Sequence, residues 1–168
     1  MARWSVNIPT WTTAATADTS TLANSTYMAL EAGTGATTQR NVILEVYIGG
    51  QEPTSSKIQI MLLARNSTAA STPTAGLVRL APLDVSTANL STNPLGYSSA
   101  TTGPQRSATL SLLNLSMNAF GGIVRWTAAP GEEIVQIGLA ANTGSTSLTA
   151  FTGTTAASIG THFIIEPF

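Results

Sequence analysis

The stretch of sequence that decides the fold is residues 41–65, NVILEVYIGGQEPTSSKIQIMLLAR. Apolar residues recur at every second position in its first part, at Val42, Leu44, Val46 and Ile48, and again in its last part, at Ile58, Ile60, Leu62 and Ala64. A period of two is the pattern of a β-strand that buries one face. Gly49, Gly50 and Pro53 lie between the two parts, and such residues favour a chain reversal. The stretch therefore predicts a long central β-hairpin.

Short segments of the same kind continue through the rest of the chain, separated by turn residues. They cover residues 3–8, 26–31, 77–83, 107–117, 123–128, 133–141, 147–151 and 161–166. No segment has the sustained spacing of an amphipathic helix. Nine or ten short strands with turn signals between them are typical of two packed antiparallel sheets. We predict an all-β, single-domain antiparallel β-sandwich of jelly-roll type over residues 1–168.

Two parts of the chain lack a regular apolar pattern. Residues 1–25 combine a short N-terminal strand or arm with a polar run that contains Trp11. This run is interpreted either as a surface loop with one anchoring aromatic residue or as an extended arm that reaches a neighbouring subunit. Residues 84–106 are polar and rich in Pro and Gly, and a loop of this length usually has a function. We predict that 84–106 is a long contact loop.

The composition excludes several classes of function. The chain has no cysteine, which rules out disulfides, thiolate zinc sites and a cysteine nucleophile. Only 9% of its residues are charged and the formal net charge is −1, whereas charged residues make up about 25% of an ordinary soluble domain. Nucleic-acid binding requires several clustered basic residues to neutralise phosphates. The seven basic residues are scattered, so we expect no nucleic-acid partner.

The N-terminal residues indicate that the protein is not exported. MARWSVNIPTW has no apolar run of the length that a signal peptide needs. No apolar segment elsewhere approaches the roughly 18 residues of a membrane span. We therefore expect synthesis and folding in the cytoplasm, with no membrane partner. Uncharged, Thr-rich surfaces are common on virions and extracellular proteins, which suggests a component of a particle that is assembled inside a cell and released by lysis.

No pattern of catalytic or metal-binding residues is found. His162 is the only histidine, and a catalytic triad would need it to meet Asp18 or Asp84 together with a serine. No serine lies in a G-x-S-x-G motif, so we interpret His162 as a structural or interface residue. Glu132 and Glu133 are adjacent and would point to opposite faces of a strand. We predict no catalytic residue, no metal site and no cofactor.

Aromatic residues are the better candidates for a functional surface. The candidate protein-interface residues are Trp4, Trp11, Tyr97 and Phe168, which lie at or outside the ends of the predicted strands. Aromatic side chains supply a large contact area at a low entropic cost, so a protein that works by docking often exposes them. The alternative for each residue is that it caps one end of the sandwich core.

The chain as a whole combines a cysteine-free length of 168 residues, the unexported start MARWSVNIPTW and a Thr-, Ala- and Gly-rich body. The segments NVILEVYI, APGEEIVQIGLAA and the apolar ending FIIEPF complete the pattern. In these features it resembles the small β-sandwich cement, or decoration, proteins of tailed-bacteriophage capsids. The resemblance spans the full length and transfers no individual site residue.

The resemblance implies a structural virion protein and not an enzyme. Such a protein binds the major capsid protein on the outer surface of an assembled capsid and stabilises the shell. The resemblance also implies self-association, as a homotrimer or alternatively as a dimer. The other interpretation is a receptor- or carbohydrate-binding virion module, such as a head-fibre or tail-fibre domain. In that module Trp11, Trp126 or Tyr97 would stack on a sugar.

Overall fold

The computed structural model of the protein describes residues 2–7, 28–31, 40–50, 58–66, 79–86, 95–97, 106–137, 146–152 and 159–167. Within these ranges every regular element is a β-strand and every strand pairing is antiparallel. The strands are β1 (Trp4–Asn7), β2 (Met28–Glu31), β3 (Arg40–Gly50), β4 (Ile58–Asn66), β5 (Arg79–Pro82), β6 (Leu95–Tyr97), β7 (Arg106–Asn118), β8 (Ile123–Thr127), β9 (Ile134–Ile137), β10 (Thr146–Thr152) and β11 (Ile159–Pro167). The predicted all-β, antiparallel class is confirmed.

The strands form two sheets. The six-stranded sheet has the order β5-β1-β11-β3-β8, and β9 also pairs with β3, beyond the end of β8. The five-stranded sheet has the order β6-β2-β10-β4-β7. Within the described residues, no helix has the length and the apolar character needed to cross a bilayer.

The inner face of the six-stranded sheet is made of apolar rows that run across the strands. One row consists of successive cross-strand partners, Leu80, Val6, Phe163, Val46 and Trp126. A second row consists of Pro82, Trp4, Ile165, Ile43 and Ile134. Leu30, Leu63 and Met117 of the five-stranded sheet belong to the same buried cluster. Full burial of one such side chain stabilises the fold by about 1.5–3 kcal/mol.

The predicted central hairpin is wrong. β3 pairs with β11 and with β8 and β9 in one sheet, whereas β4 pairs with β10 and β7 in the other. The chain therefore changes sheets between Gly50 and Ile58. Alternation fixes which side of a strand is buried, but it does not fix the neighbouring strand. β11 matches β3 along nine paired positions with an apolar face of its own, so two segments that are distant in sequence become partners.

The predicted inner face of β3 is also wrong in its first half. Val46 and Ile48 are fully buried as expected, but Ile43, and not Leu44, occupies the next inner position. The pairing with β11 shifts by one residue here, because Glu45 faces Ile164 and Ile43 faces Ile165. An extra residue in one strand is a β-bulge, and it exchanges the inward and outward positions beyond it.

Both irregular regions contain strands. β1 lies between β5 and β11 in the six-stranded sheet, so residues 4–7 are a strand and not an arm; residues 8–25 lie outside the described residues. Within the predicted contact loop 84–106, residues 95–97 form β6, which pairs with β2. Such a short strand has too few residues to show a period of two.

Candidate interaction surface

A row of polar and aromatic side chains crosses the outer face of the six-stranded sheet. Asn7, His162, Tyr47 and Arg125 are successive cross-strand partners, and residues at paired positions project from the same face. We call these four residues the outer row. The rings of Tyr47 and His162 stack with centroids 5.3 Å apart and planes at 22°. On the other side, the guanidinium carbon of Arg125 lies 5.3 Å from the Tyr47 centroid. Tyr47 therefore lies between two neighbours.

Glu45 joins two members of the outer row. The Tyr47 hydroxyl donates to Glu45 Oε2 at 2.5 Å, and Arg125 Nη2 lies 2.7 Å from the same oxygen. The hydrogen bond from Tyr47, followed by that from Arg125 and its positive charge, lowers the pKa of the Glu45 carboxyl, although burial opposes this. The same hydrogen bond to Glu45 raises the pKa of Tyr47. These three side chains form a closed unit that stays ionised at Glu45 and Arg125 and neutral at Tyr47 around pH 7.

His162 lies beside Tyr47 in the outer row, on the side away from Arg125. Burial lowers its pKa, and the nearby charge of Glu45 opposes the shift only in part. His162 Nε2 lies 2.9 Å from Ser5 Oγ, and Asn7 Nδ2 donates to the same Ser5 oxygen at 3.1 Å. Ser5 is only 9% exposed, and its hydroxyl already has two partners. Ser5 Oγ therefore links the side chains of Asn7 and His162 beneath the outer row.

Asp84, the triad partner considered for His162, is occupied elsewhere. Its Oδ1 accepts hydrogen bonds from the backbone nitrogen of Ser86 at 2.9 Å and from the Ser86 hydroxyl at 2.7 Å. These bonds lower the pKa of the Asp84 carboxyl. Asp84 follows Pro82, which pairs with Trp4, whereas His162 pairs with Asn7 at the other end of β1. Asp18 lies outside the described residues.

An open groove of about 600 Å³ adjoins the outer row where β3, β8 and β11 meet the β7–β8 turn. Its walls include Tyr47, His162, Thr161 and Ile123, together with the backbone of Gly49 and Gly160. Among the described lining residues there is no carboxylate and no lysine or arginine. The groove therefore offers an apolar wall with a few uncharged polar groups.

Large apolar side chains are exposed at two opposite corners of the six-stranded sheet. Leu83 and Val85, which follow β5, are 57% and 96% exposed. Phe120 and Ile123, in the β7–β8 turn and at the start of β8, are 51% and 78% exposed. β5 and β8 are on opposite edges of the sheet. The pairs also lie at opposite ends of the strands, because Leu83 adjoins Trp4 and Ile123 faces Gly49.

The local sequence fixes the turn that presents Phe120 and Ile123. Asn118 Oδ1 accepts a hydrogen bond from the backbone nitrogen of Phe120 at 2.9 Å, and the Asn118 carbonyl accepts one from Gly122 at 3.1 Å. Gly121 has φ of 66°, a conformation that glycine adopts at no steric cost. The turn lies between the two segments, 107–117 and 123–128, that the sequence predicts as strands.

The four aromatic candidates have different outcomes. Trp4 is 4% exposed and belongs to the core cluster, so within this chain it fits the core-capping alternative and offers no surface to a partner. Tyr97 is in β6 opposite Ala29, and its side chain lies outside the described part of the structure. Trp11 and Phe168 lie outside the described residues. The exposed residues that sequence reasoning missed, Phe120 and Val85, have one detectable signal: each is an apolar residue inside a polar turn or loop.

The described residues contain no group of three His, Cys, Asp or Glu side chains that could hold a metal ion. The chain matches no family model, no curated protein and no solved structure.

Proposed function

We propose that the protein is a structural virion protein that binds the outer surface of an assembled phage capsid and stabilises it, as cement or decoration proteins do. Its partner is the major capsid protein, and it associates with further copies of itself as a homotrimer or a dimer. We further infer that its two sheets form a jelly-roll sandwich.

The strand orders support the jelly-roll inference. Without β5, β6 and β9, the two sheets have the orders β1-β11-β3-β8 and β2-β10-β4-β7. A jelly roll has eight strands in two sheets and is built from two Greek keys, and these strand orders agree with that arrangement. β5 and β6 extend the outer edges next to β1 and β2, and both come from the connection between β4 and β7. One buried cluster with members from both sheets agrees with face-to-face packing.

The observation that carries the proposed function is the pair of apolar corners on a nearly uncharged chain. Apolar side chains that are exposed singly are normal, but grouped ones mark interaction sites. Leu83 and Val85 form one group, and Phe120 and Ile123 form the other. Burial of these side chains against a partner removes apolar area from water without requiring desolvation of charges.

Binding of this kind stabilises a shell without chemistry. A protein that binds the assembled shell but not the separated subunits shifts the equilibrium toward the shell by mass action. Because the contacts are apolar and the charge is low, we expect the affinity to change little with ionic strength.

Co-sedimentation with capsids tests the proposal. Purified protein is mixed with expanded capsids from the phage that carries this sequence, prepared without the protein, at about 0.05 and 0.5 M salt. We expect saturable binding at both concentrations. Val85→Ser and Ile123→Ser should weaken binding, whereas Thr127→Ser, also on the exposed surface, should not. Absence of co-sedimentation, or binding that is lost at high salt, would contradict the proposal.

The carbohydrate-binding alternative has less support from the geometry. Trp126 is half-buried against the core cluster, so it does not provide an open ring face. Tyr47 lies between His162 and Arg125. Binding to immobilised host glycans without binding to capsids would favour this alternative.

Deletion of residues 1–11 cannot test whether the N-terminal residues contact the capsid, because it removes the buried strand β1.

A further inference from the structure

β7 is a long strand at the edge of the five-stranded sheet. It has 13 residues, and among the described strands it pairs only with β4. The strand at the opposite edge of this sheet, β6, has only 3 residues. Within the part of the chain that the structure describes, one side of β7 therefore presents a row of backbone donors and acceptors to which another strand can bind.

This edge lacks the usual protection against pairing. Residues 107–118, SATLSLLNLSMN, contain no lysine, no other charged residue and no proline, which are the residues that commonly block strand addition. The pairing with β4 shifts near Leu112, and such a bulge interrupts an edge locally. From Leu113 to Asn118 the register is unbroken, running from Leu63 to Ile58. Residues 113–118 are therefore a regular and uncharged edge.

We propose that β7 is a self-association edge, at which the 113–118 segments of two copies pair antiparallel about a twofold axis and join their five-stranded sheets. The side chains alternate in a way that allows this. Leu113, Leu115 and Met117 point inward, and Asn114, Ser116 and Asn118 are exposed. Directly opposed residues of paired strands project from the same face of a sheet. A twofold axis at Leu115 therefore places the inner faces of the two joined five-stranded sheets on the same side. It also places Asn114 opposite Ser116 of the second copy.

A second copy is the occupant that fits this edge. A twofold interface brings the same patch of both molecules together, and uncharged residues oppose one another without repulsion. The net charge of −1 per chain adds little repulsion between two copies. The amide of Asn114 and the hydroxyl of Ser116 are complementary hydrogen-bonding groups. The pairing is independent of capsid binding, and it favours the dimer over the trimer.

The absence of cysteine allows a direct test of the pairing. Asn114→Cys and Ser116→Cys variants of the full chain are mixed, oxidised mildly and compared with each variant alone. Opposed residues have Cβ atoms about 4.5–5.5 Å apart, which is close to disulfide geometry. We expect the mixture to form a disulfide-linked dimer, containing one chain of each variant, at several times the yield of Ser86→Cys and Thr127→Cys controls. Preferential cross-linking of Ser116→Cys alone would support the same edge with the axis shifted to Ser116.

Light scattering of the unmodified chain, without capsids, provides the second measurement. We expect a dimer, and we expect Ser116→Lys to raise its dissociation constant at least tenfold without altering the thermal unfolding of the monomer. Thr127→Lys, on the other sheet, is the matched control and should leave the dimer intact. A monomeric wild-type chain, or cross-linking at β7 no stronger than at the controls, would overturn the proposal. A dimer that fails to bind capsids would instead contradict only the proposed function.

Discussion

The inner and outer faces of the six-stranded sheet are built from alternate residues of the same strands, yet they differ in what holds them. On the inner face, Val46 and Phe163 are opposed and have no exposed surface. One residue along each strand, Tyr47 and His162 are opposed on the outer face and remain partly exposed. The inner rows are held by burial alone, whereas the outer row is held by stacking and hydrogen bonds. We therefore expect substitutions in the inner rows to lower the free energy of unfolding strongly. Substitutions in the outer row should affect mainly the charge and pH response of the surface.

The largest effect should come from emptying the centre of the inner face. Phe163→Ala removes a fully buried ring between Val6 and Val46. Such a truncation costs about 3–5 kcal/mol because it loses transfer free energy and leaves a cavity. Urea unfolding at pH 7.5 measures the loss, and Phe163→Leu should cost markedly less. A loss below about 1 kcal/mol would show that the two faces do not differ as we argue.

A polar group on the inner face should have the next largest effect. Gln136 is buried opposite Asn41, and its Nε2 donates to the Leu30 carbonyl of the other sheet. Gln136→Ala leaves that carbonyl without this donor, so we expect a loss of about 1–3 kcal/mol in the free energy of unfolding. Thr127→Ala, at an exposed position of β8, is the control and should be near neutral. Equal effects of the two variants would contradict the inter-sheet role of Gln136.

Breaking the ion pair between Glu45 and Arg125 should have a smaller effect on stability. Glu45→Gln removes the ion pair with Arg125 and weakens the acceptor for Tyr47. Because the Arg125 side chain is 55% exposed, solvent screens the pair, and we expect the Tm to fall by no more than about 3 °C. Thermal unfolding of Glu45→Gln, Arg125→Gln and the double variant measures the coupling. A fall comparable to that of Phe163→Ala would overturn the assignment of stability to the inner face.

The smallest effect is a pH dependence from His162. Its pKa in the folded protein is lowered from 6.5 by burial, so the unfolded chain binds the proton more readily. The contribution to stability is therefore complete above pH 6.5 and is lost as the pH falls toward the lowered folded value. Glu45 titrates below its ordinary pKa of 4.5, so measurements above pH 5 separate the two groups. His162→Gln should flatten this part of the stability profile, and an unchanged profile would exclude His162 as its source.

The sequence predicts the strands better than their partners. The alternation of apolar residues around Val46 and Ile48 reflects burial of one face of the strand. It can be read from the sequence of that strand alone. The pairing of β3 with β11, in place of β4, depends on residues more than a hundred positions away, and no local pattern contains that information. The bulge at Leu44 is hidden for a similar reason, since an extra residue is defined only relative to the opposite strand.

The candidate surface was less predictable than the fold. Aromatic residues near strand ends were the natural choice, but Trp4 is buried because β1 is an interior strand of the six-stranded sheet. The outer row was not predicted, because Asn7, Tyr47, Arg125 and His162 come from four strands and meet only through the registers of β1, β3, β8 and β11. Phe120 and Ile123 resemble ordinary core residues until the turn between β7 and β8 is known.

The position of β1 beside β11 also determines when the protein can fold. Trp4 pairs with Ile165, so β1 must wait for a partner that lies much later in the chain. The six-stranded sheet cannot close until residues 159–167 have been synthesised, and before that point β1 has no neighbour on that side. Contacts between such distant residues make folding slow. Until then, the apolar faces of β1 and β3 lack their partner β11, and uncovered apolar surface of this kind favours aggregation.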